Sequence, residues 1–315
     1  MKIVRSAGEI APDRNSVVTV GTFDGVHRAH QEILREVVNR ARMKEGRSVV
    51  VTFDPHPREV VGPRDAKVQL LSTLDERCAL LAKANIDLLY VITFTYEFSR
   101  LSSREFFEQQ IVKTIGAGEV VVGYDHMFGR DRKGDVQELV SMGKEFNFSV
   151  FAVHPYRVDG EIVSSTLIRN ALMAGEVDAA QKFLGYHYFF SGVVVSGDGR
   201  GRSLGFPTAN LEASSSKKVV PGNGIYFVGI TRAGRDYFGM MSIGTRPTVT
   251  DSGGRTLEVN IFDLDQGLYG ETLTVTFLRR LRDERKFASM TELVKQMEKD
   301  KEDCLRLIAE NAGRS

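Results

Sequence analysis

Two stretches of the chain gather residue types suited to phosphate chemistry. In the first, Val17–Val20 runs into Gly21-Thr22-Phe23-Asp24-Gly25-Val26-His27-Arg28-Ala29-His30, and a helical pattern follows. Gly21 and Gly25 permit a tight turn with close backbone approach to a ligand. The helix start behind them offers unpaired N–H groups and a partial positive charge, which suit a phosphate. His27 and His30, three apart at that start, can face one anion and donate to phosphoryl oxygens as charge builds there. The pair could instead belong to a metal site, though no third ligand lies close by in sequence, or be purely structural. No Gly-x4-Gly-Lys-Ser/Thr occurs anywhere, so a Walker P-loop is excluded.

The second stretch is Gly197-Asp198-Gly199-Arg200-Gly201-Arg202-Ser203-Leu204-Gly205-Phe206-Pro207-Thr208-Ala209-Asn210. A glycine-rich loop with basic and polar side chains can wrap phosphates with its backbone amides. Thr208 and Asn210 alternate, so both point to one face of an extended strand, where hydroxyl and amide can hold a divalent cation and a nucleotide phosphate. Gly197-x-Gly199 fails as a dinucleotide fingerprint, because no helix of a βαβ unit follows it. Phe53-Asp54-Pro55-His56-Pro57 ends a strand with two prolines, either as a rigid loop at a sheet edge or as an ordinary strand exit. Ser164-Ser165-Thr166 is most simply an N-cap run. Its hydroxyls and helix amides could also cradle a triphosphate that Arg169 would neutralise.

The elements that must position these residues change character along the chain. Strand candidates Val17–Val20, Ser48–Phe53, Leu88–Phe94, Glu119–Val122 and Phe148–Val153 alternate with helical patterns at Gln31–Ala41, Thr73–Ala82, Ser103–Lys113 and Val136–Lys144. That order implies parallel strands with helices on both faces. After about Gly185 come short strand-like runs, among them Tyr188–Ser196, Gly224–Thr231, Tyr237–Ile243, Leu257–Phe262 and Leu273–Phe277, with no long helix between them. An antiparallel barrel or sandwich is expected there. A closing helix spans about Ser289–Ala309, with Met290, Leu293, Val294, Met297, Cys304, Leu305 and Ile308 on its apolar face. The expected class is therefore α/β plus all-β, with domains at 1–185 and 186–315.

At these residues the chain resembles a known family. Gly21–His30 is similar to the first signature of the prokaryotic bifunctional riboflavin kinase/FMN adenylyltransferases (FAD synthetases), whose first half belongs to the HxGH nucleotidylyltransferases. Phe53–Pro57, Gly123–Gly129 with Arg132–Asp135, and Ser164–Arg169 resemble that family's next segments, in order. In the second half, Gly201–Asn210 resembles its riboflavin kinase signature GRxLGFPTAN. Pro221–Tyr226, Ser242–Thr248, Thr256–Asp263, Leu268–Gly270 and Leu281–Phe287 resemble the segments that follow. Ala29 stands where the family usually has Gly, near the adenine, and Asn260 where it usually has His.

The resemblance implies a Rossmann-like adenylyltransferase domain, then a riboflavin kinase β-barrel with a C-terminal helix. It implies that riboflavin is phosphorylated to FMN and FMN adenylylated to FAD, with ATP as co-substrate and Mg2+ as the metal. Glu258 holds the position that the family uses for the base, or at least the acceptor that orients the hydroxyl, in the kinase step. Taken alone, a polar residue in a strand more commonly faces solvent. His27, His30 and Arg169 would serve adenylyl transfer. ATP and phosphate would be held by Gly21, Phe23, Asp24, Gly25, Ser164, Ser165, Thr166, Gly201, Arg202, Gly205 and Pro207, and the metal by Thr208 and Asn210. Flavin would meet Phe53, Pro55, His56, Pro57, Asp125, Arg282 and Phe287. Asp125 could instead merely close a turn, and Arg282–Phe287 could instead be a helix-entry salt-bridge cluster.

Composition limits the partners. The chain has 315 residues, 42% of them hydrophobic and 26% charged, with 42 basic against 41 acidic residues. That balance gives no reason to expect nucleic acid or an anionic membrane. Two cysteines far apart and a start without an apolar run fit a cytoplasmic protein, a monomer or transient oligomer whose partners are riboflavin, FMN, FAD and ATP.

Overall fold

The computed structural model describes residues 1–62, 68–124, 136–197, 205–245, 255–264 and 267–312. The chain divides into two compact units, Met1–Ser165 and Thr166–Ser315. This division falls in the first turn of the helix that starts at Ser165, whereas the change of sequence character after about Gly185 falls behind the next helix.

In the first unit β1 (Lys2–Val4), β2 (Val17–Val20), β3 (Ser48–Asp54), β4 (Leu88–Thr93), β5 (Glu119–Gly123) and β6 (Ser149–Val153) form one sheet, ordered β1-β4-β3-β2-β5-β6. Every neighbouring pair is parallel. Alternate residues of β3 feed opposite cores. Val49 and Val51 pack with Phe107, Ile111 and Leu139, while Val50 packs with Leu34, Val38 and Leu81. Helices therefore cover both faces, as a buried parallel sheet requires. They are α1 (Arg28–Met43), α2 (Pro57–Val61), α3 (Leu74–Lys83), α4 (Tyr96–Ser99), α5 (Ser103–Phe106), which continues as a π-helix over Phe107–Ile115, and α6 (Val136–Phe146). The strand order reverses beside β2, and such a switch point leaves a ligand crevice at the carboxyl ends of the strands. The residues that leave β2 there are Gly21–His27.

A hairpin of β7 (Arg157–Val158) and β8 (Glu161–Ile162) precedes α7 (Ser165–Met173) and α8 (Val177–Leu184). Gly185, at φ 82°, stops α8 in the left-handed conformation that glycine adopts without strain. The second unit then closes an antiparallel barrel in the order β10-β13-β12-β11-β14-β9. Its strands are β9 (Phe189–Val195), β10 (Ala209–Ala213), β11 (Gly224–Arg232), β12 (Arg235–Thr245), β13 (Arg255–Ile261) and β14 (Thr272–Arg282). Tyr188, Phe190, Tyr226 and Phe277 are fully buried, and the first three rings all pack on Phe277.

The C-terminal helix (Met290–Ala312) packs Val294, Met297, Cys304, Leu307 and Ile308 against Phe206, Phe227, Met240 and Phe262. Met290 and Leu305, expected on that face, are 57% and 48% exposed. Residues 294, 297, 304, 307 and 308 keep the helical period, and Leu305 lies at the edge of that stripe, about 85° from its centre. Both cysteines are free; burial, with Asp300 and Asp303 nearby, pushes the Cys304 thiol up to about 12.

Candidate active sites

The turn after β2 is strained and tightly held. Phe23 (φ 48°) and Val26 (φ 36°) both sit in the left-handed region, which a β-branched valine rarely enters. Such strain persists only where surrounding contacts over-determine it, and Asp24 supplies them. Its buried carboxylate accepts from the Leu71 amide at 3.1 Å, the Ser72 amide at 2.9 Å and the Ser72 hydroxyl at 3.3 Å. The Gly25 amide donates to Ser72 Oγ at 2.9 Å, and Ser165 Oγ donates to the Asp24 carbonyl at 3.1 Å. Gly25 is required twice over: its φ is 79°, and a Cβ there would lie 2.9 Å from the Leu71 side chain.

That scaffold aims the start of α1. His27 is its N-cap residue, and no acidic side chain occupies the first turn to neutralise the positive end of the helix. The His27 and His30 rings stack with centroids 3.6 Å apart and planes 16° from parallel. Phe23 closes against His30 at 5.1 Å. Burial, then the His27 and Arg77 charges, hold the His30 pKa well below 6.5. His30 is therefore a neutral imidazole at pH 7, able to donate one hydrogen bond. Ala29 lies in the same first turn, partly buried.

At the neighbouring strand end, Phe53 joins Phe94, Phe98 and Phe106 in a half-buried aromatic group with centroids 5.5 to 6.3 Å from Phe53. Pro55 follows Asp54 by a cis peptide bond. His56 caps α2, its Nδ1 accepting from the Arg58 amide at 3.1 Å, and Pro57 is the first helical residue. Ser164 and Ser165 open α7, with Thr166 exposed on its first turn. Arg169, in the second unit, lies one turn beyond Ser165 on the same helix. Asp125, Gly201 and Arg202 lie outside the described residues.

In the barrel unit the antiparallel register sets Asn210 of β10 directly opposite Glu258 of β13, and Glu258 opposite Ser242 of β12. Strand alternation puts Asn260 on the same face as this pair, and Thr208 lies just ahead of β10. Asn260 Nδ2 donates to the Pro207 carbonyl at 2.7 Å, anchoring the segment that carries Thr208 and Asn210. Gly205, at φ 80°, turns the chain just ahead of it, and Phe206 plugs the core under the C-terminal helix. A Cβ on Gly197 would overlap the Asn210 amide, so glycine there leaves room for that side chain. Among the described residues no cluster of three His, Cys, Asp or Glu could hold a metal. Thr208 and Asn210 offer neutral, hard oxygen donors, which suit Mg2+ when substrate phosphates supply its remaining ligands.

Arg282 leaves β14 and grips the helix instead of facing open space. Its Nε lies 3.0 Å from each Asp300 carboxylate oxygen and its Nη2 2.6 Å from one of them, with Asp300 3% exposed. Its guanidinium also lies 5.8 Å from the Phe287 ring. Arg282→Ala would leave that buried carboxylate with Gln296 as its remaining side-chain partner among the described residues, at an expected cost of about 3 kcal/mol in barrel stability. Urea unfolding of the wild type and the variant measures this directly, and a loss below about 1 kcal/mol would refute it.

Arg77, Ser72, Thr52 and Asp300 were not singled out in the sequence. One signal was available: Arg77 falls on the apolar stripe of α3 between Leu74 and Leu81, where a charge is out of place.

Comparison with known proteins matches both units. A family model described as FAD synthetase matches residues 9–167, and one described as riboflavin kinase matches residues 184–308. The chain is 37% identical over 315 residues to the bifunctional riboflavin kinase/FMN adenylyltransferase of Pseudomonas fluorescens, covering 100% of each chain. It is 35% identical over 297 residues to the enzyme of the same description from Listeria monocytogenes, covering 94% of each. A solved structure, described as a macrolide-efflux protein from Streptococcus pneumoniae, superposes with a TM-score of 0.87 at 35% identity, covering 96% of this chain and 97% of that one. Among the described residues of this chain, no helix is long and apolar enough to cross a membrane.

Proposed function

The chain belongs to the bifunctional riboflavin kinase/FMN adenylyltransferase family, and from that premise we propose how its own residues divide the two reactions. It makes FAD from riboflavin by way of FMN. In the barrel, Glu258 orients and deprotonates the ribityl 5′-hydroxyl. The oxygen attacks the γ-phosphorus of ATP, the bond to the β–γ bridging oxygen breaks, and ADP leaves. Thr208 and Asn210 would hold Mg2+, which when bound neutralises charge on the phosphates, and the Gly201–Pro207 segment would wrap them.

In the first unit, an FMN phosphate oxygen attacks the α-phosphorus of a second ATP and pyrophosphate leaves. This nucleophile is already an anion, so no base is needed. His27 and His30, at the positive end of α1, donate to the phosphates. Gly21, Gly25, Ser164, Ser165 and Thr166 line the triphosphate. Asp24 acts from behind the turn, since its carboxylate holds Leu71 and Ser72. Phe53–Pro57 carries the flavin. We place the enzyme in the cytoplasm.

The observation that carries the kinase assignment is the register that sets Glu258 opposite Asn210, a base beside the phosphate- and metal-holding strand. Incubation with riboflavin, ATP and Mg2+, with products separated by chromatography over time, tests the reading. FMN first and FAD later is expected. Bound flavin without turnover would make the protein a flavin-binding module instead.

Asn260 gives a sharper test of the loop. Asn260→Leu removes the anchor to Pro207, worth about 1 kcal/mol, and is expected to lower kcat/KM for riboflavin phosphorylation roughly five-fold. Asn260→His should retain more activity than Asn260→Leu, and FAD formation from supplied FMN should not change. Equal activity of Asn260→Leu and wild type in the kinase assay would count against the anchor.

A further inference from the structure

Neither reaction uses Arg77, whose setting is unusual for an arginine. The side chain is 1% exposed, on the apolar stripe of α3. Its Nη1 donates to the Thr52 hydroxyl at 3.2 Å and to the Phe53 carbonyl at 3.2 Å. The Thr52 hydroxyl in turn donates to the Thr22 carbonyl at 3.2 Å. Thr22 belongs to the turn that aims His27 and His30, and Phe53 opens the loop that runs to Pro57. A single buried guanidinium thus links two segments that leave adjacent strands.

Scaffolding alone does not call for this residue. Arg77 Nε is buried with no hydrogen-bond partner among the described residues, a costly arrangement. Burial pulls the guanidinium pKa down, against Asp24, Asp54, Cys78 and Glu59, which favour its charge. A well-packed apolar side chain at such a position is often as stable or more stable. We propose that Arg77 is a positioning residue for adenylyl transfer, fixing the separation between the turn that carries the nucleotide and the loop that carries the flavin. The inference rests on the reading that Gly21–His30 binds ATP and Phe53–Pro57 binds flavin. In-line attack needs the FMN oxygen about 3–3.5 Å from the α-phosphorus, and a misplacement of about 1 Å costs on the order of a hundred-fold in rate. The Arg77 charge also faces His30, together with His27, and opposes its protonation.

The test uses the full-length protein, with FMN and ATP supplied, and reads kcat and KM separately. Arg77→Met is expected to lower kcat for FAD formation roughly 30- to 100-fold with KM for ATP and FMN changed by less than about three-fold. Arg77→Lys, which keeps a donor and a charge, recovers most of that loss. The His30 imidazole, followed by NMR, titrates at higher pH in Arg77→Met and at its original pH in Arg77→Lys. Should Arg77→Met not fold, Thr52→Val breaks the same link while leaving the arginine in place, and a kcat loss of about ten-fold is expected. Wild-type kcat in the folded variant, or an Arg77→Lys as defective as Arg77→Met with His30 unmoved, overturns the proposal. A wild-type protein that makes no FAD would instead sink the reading beneath it.

Discussion

Glu258→Gln is expected to lower kcat for riboflavin phosphorylation by about a thousand-fold while FAD formation from supplied FMN continues at its original rate. Glutamine matches glutamate in size and keeps the strand register with Asn210 and Ser242, so the fold has no reason to change. What is lost is the negative charge and the lone pair that accepts the hydroxyl proton. The position is only partly buried, on the polar face shared with Asn210 and Asn260, so no desolvated charge partner is orphaned by the change. Because the other reaction runs in a separate unit, FMN-dependent FAD synthesis reports whether the protein stayed intact. A kinase rate within about ten-fold of wild type would mean that Glu258 only orients the substrate and that another group takes the proton.

How much of this was legible in the sequence follows from the range of the interactions. The turn from β2 into α1 was readable because its causes are local: glycines where a turn is needed, a buried valine run before it and a helical pattern after it. The opposition of Asn210 and Glu258 was not readable, because only barrel closure sets the register of β10 against β13. The same holds for Asp24, which reads as a phosphate-loop carboxylate until Leu71 and Ser72 arrive from far along the chain. Arg282 looked equally suited to flavin or to a salt bridge, and its partner Asp300 lies on a helix whose docking no local pattern fixes. The short strand β1, with only Val4 buried, forms because β4 offers it a parallel edge, a tertiary cause with no local periodicity. Local rules located the motifs, and long-range pairing decided what each side chain does.

His27→Ala and His30→Gln are each expected to lower kcat for FAD formation by about a hundred- to a thousand-fold, with riboflavin phosphorylation unaffected. The rings stack at 3.6 Å, so two imidazoliums there would repel strongly, and His30 is held neutral. They act as one donor surface, and the double variant should therefore be little worse than the worse single one. Multiplicative losses would show two independent donors instead. The same burial makes a stability prediction of definite sign. The folded His30 pKa lies below its unfolded value of 6.5, so the unfolded chain takes up a proton first as pH falls. The contribution is full above about pH 6.5 and is lost as pH drops from there toward the depressed folded value. His30→Gln removes that titration, so between pH 7 and pH 5 the variant should lose less stability than wild type in matched urea unfolding. An identical acid sensitivity in the two proteins would mean that His30 is not held neutral in the fold.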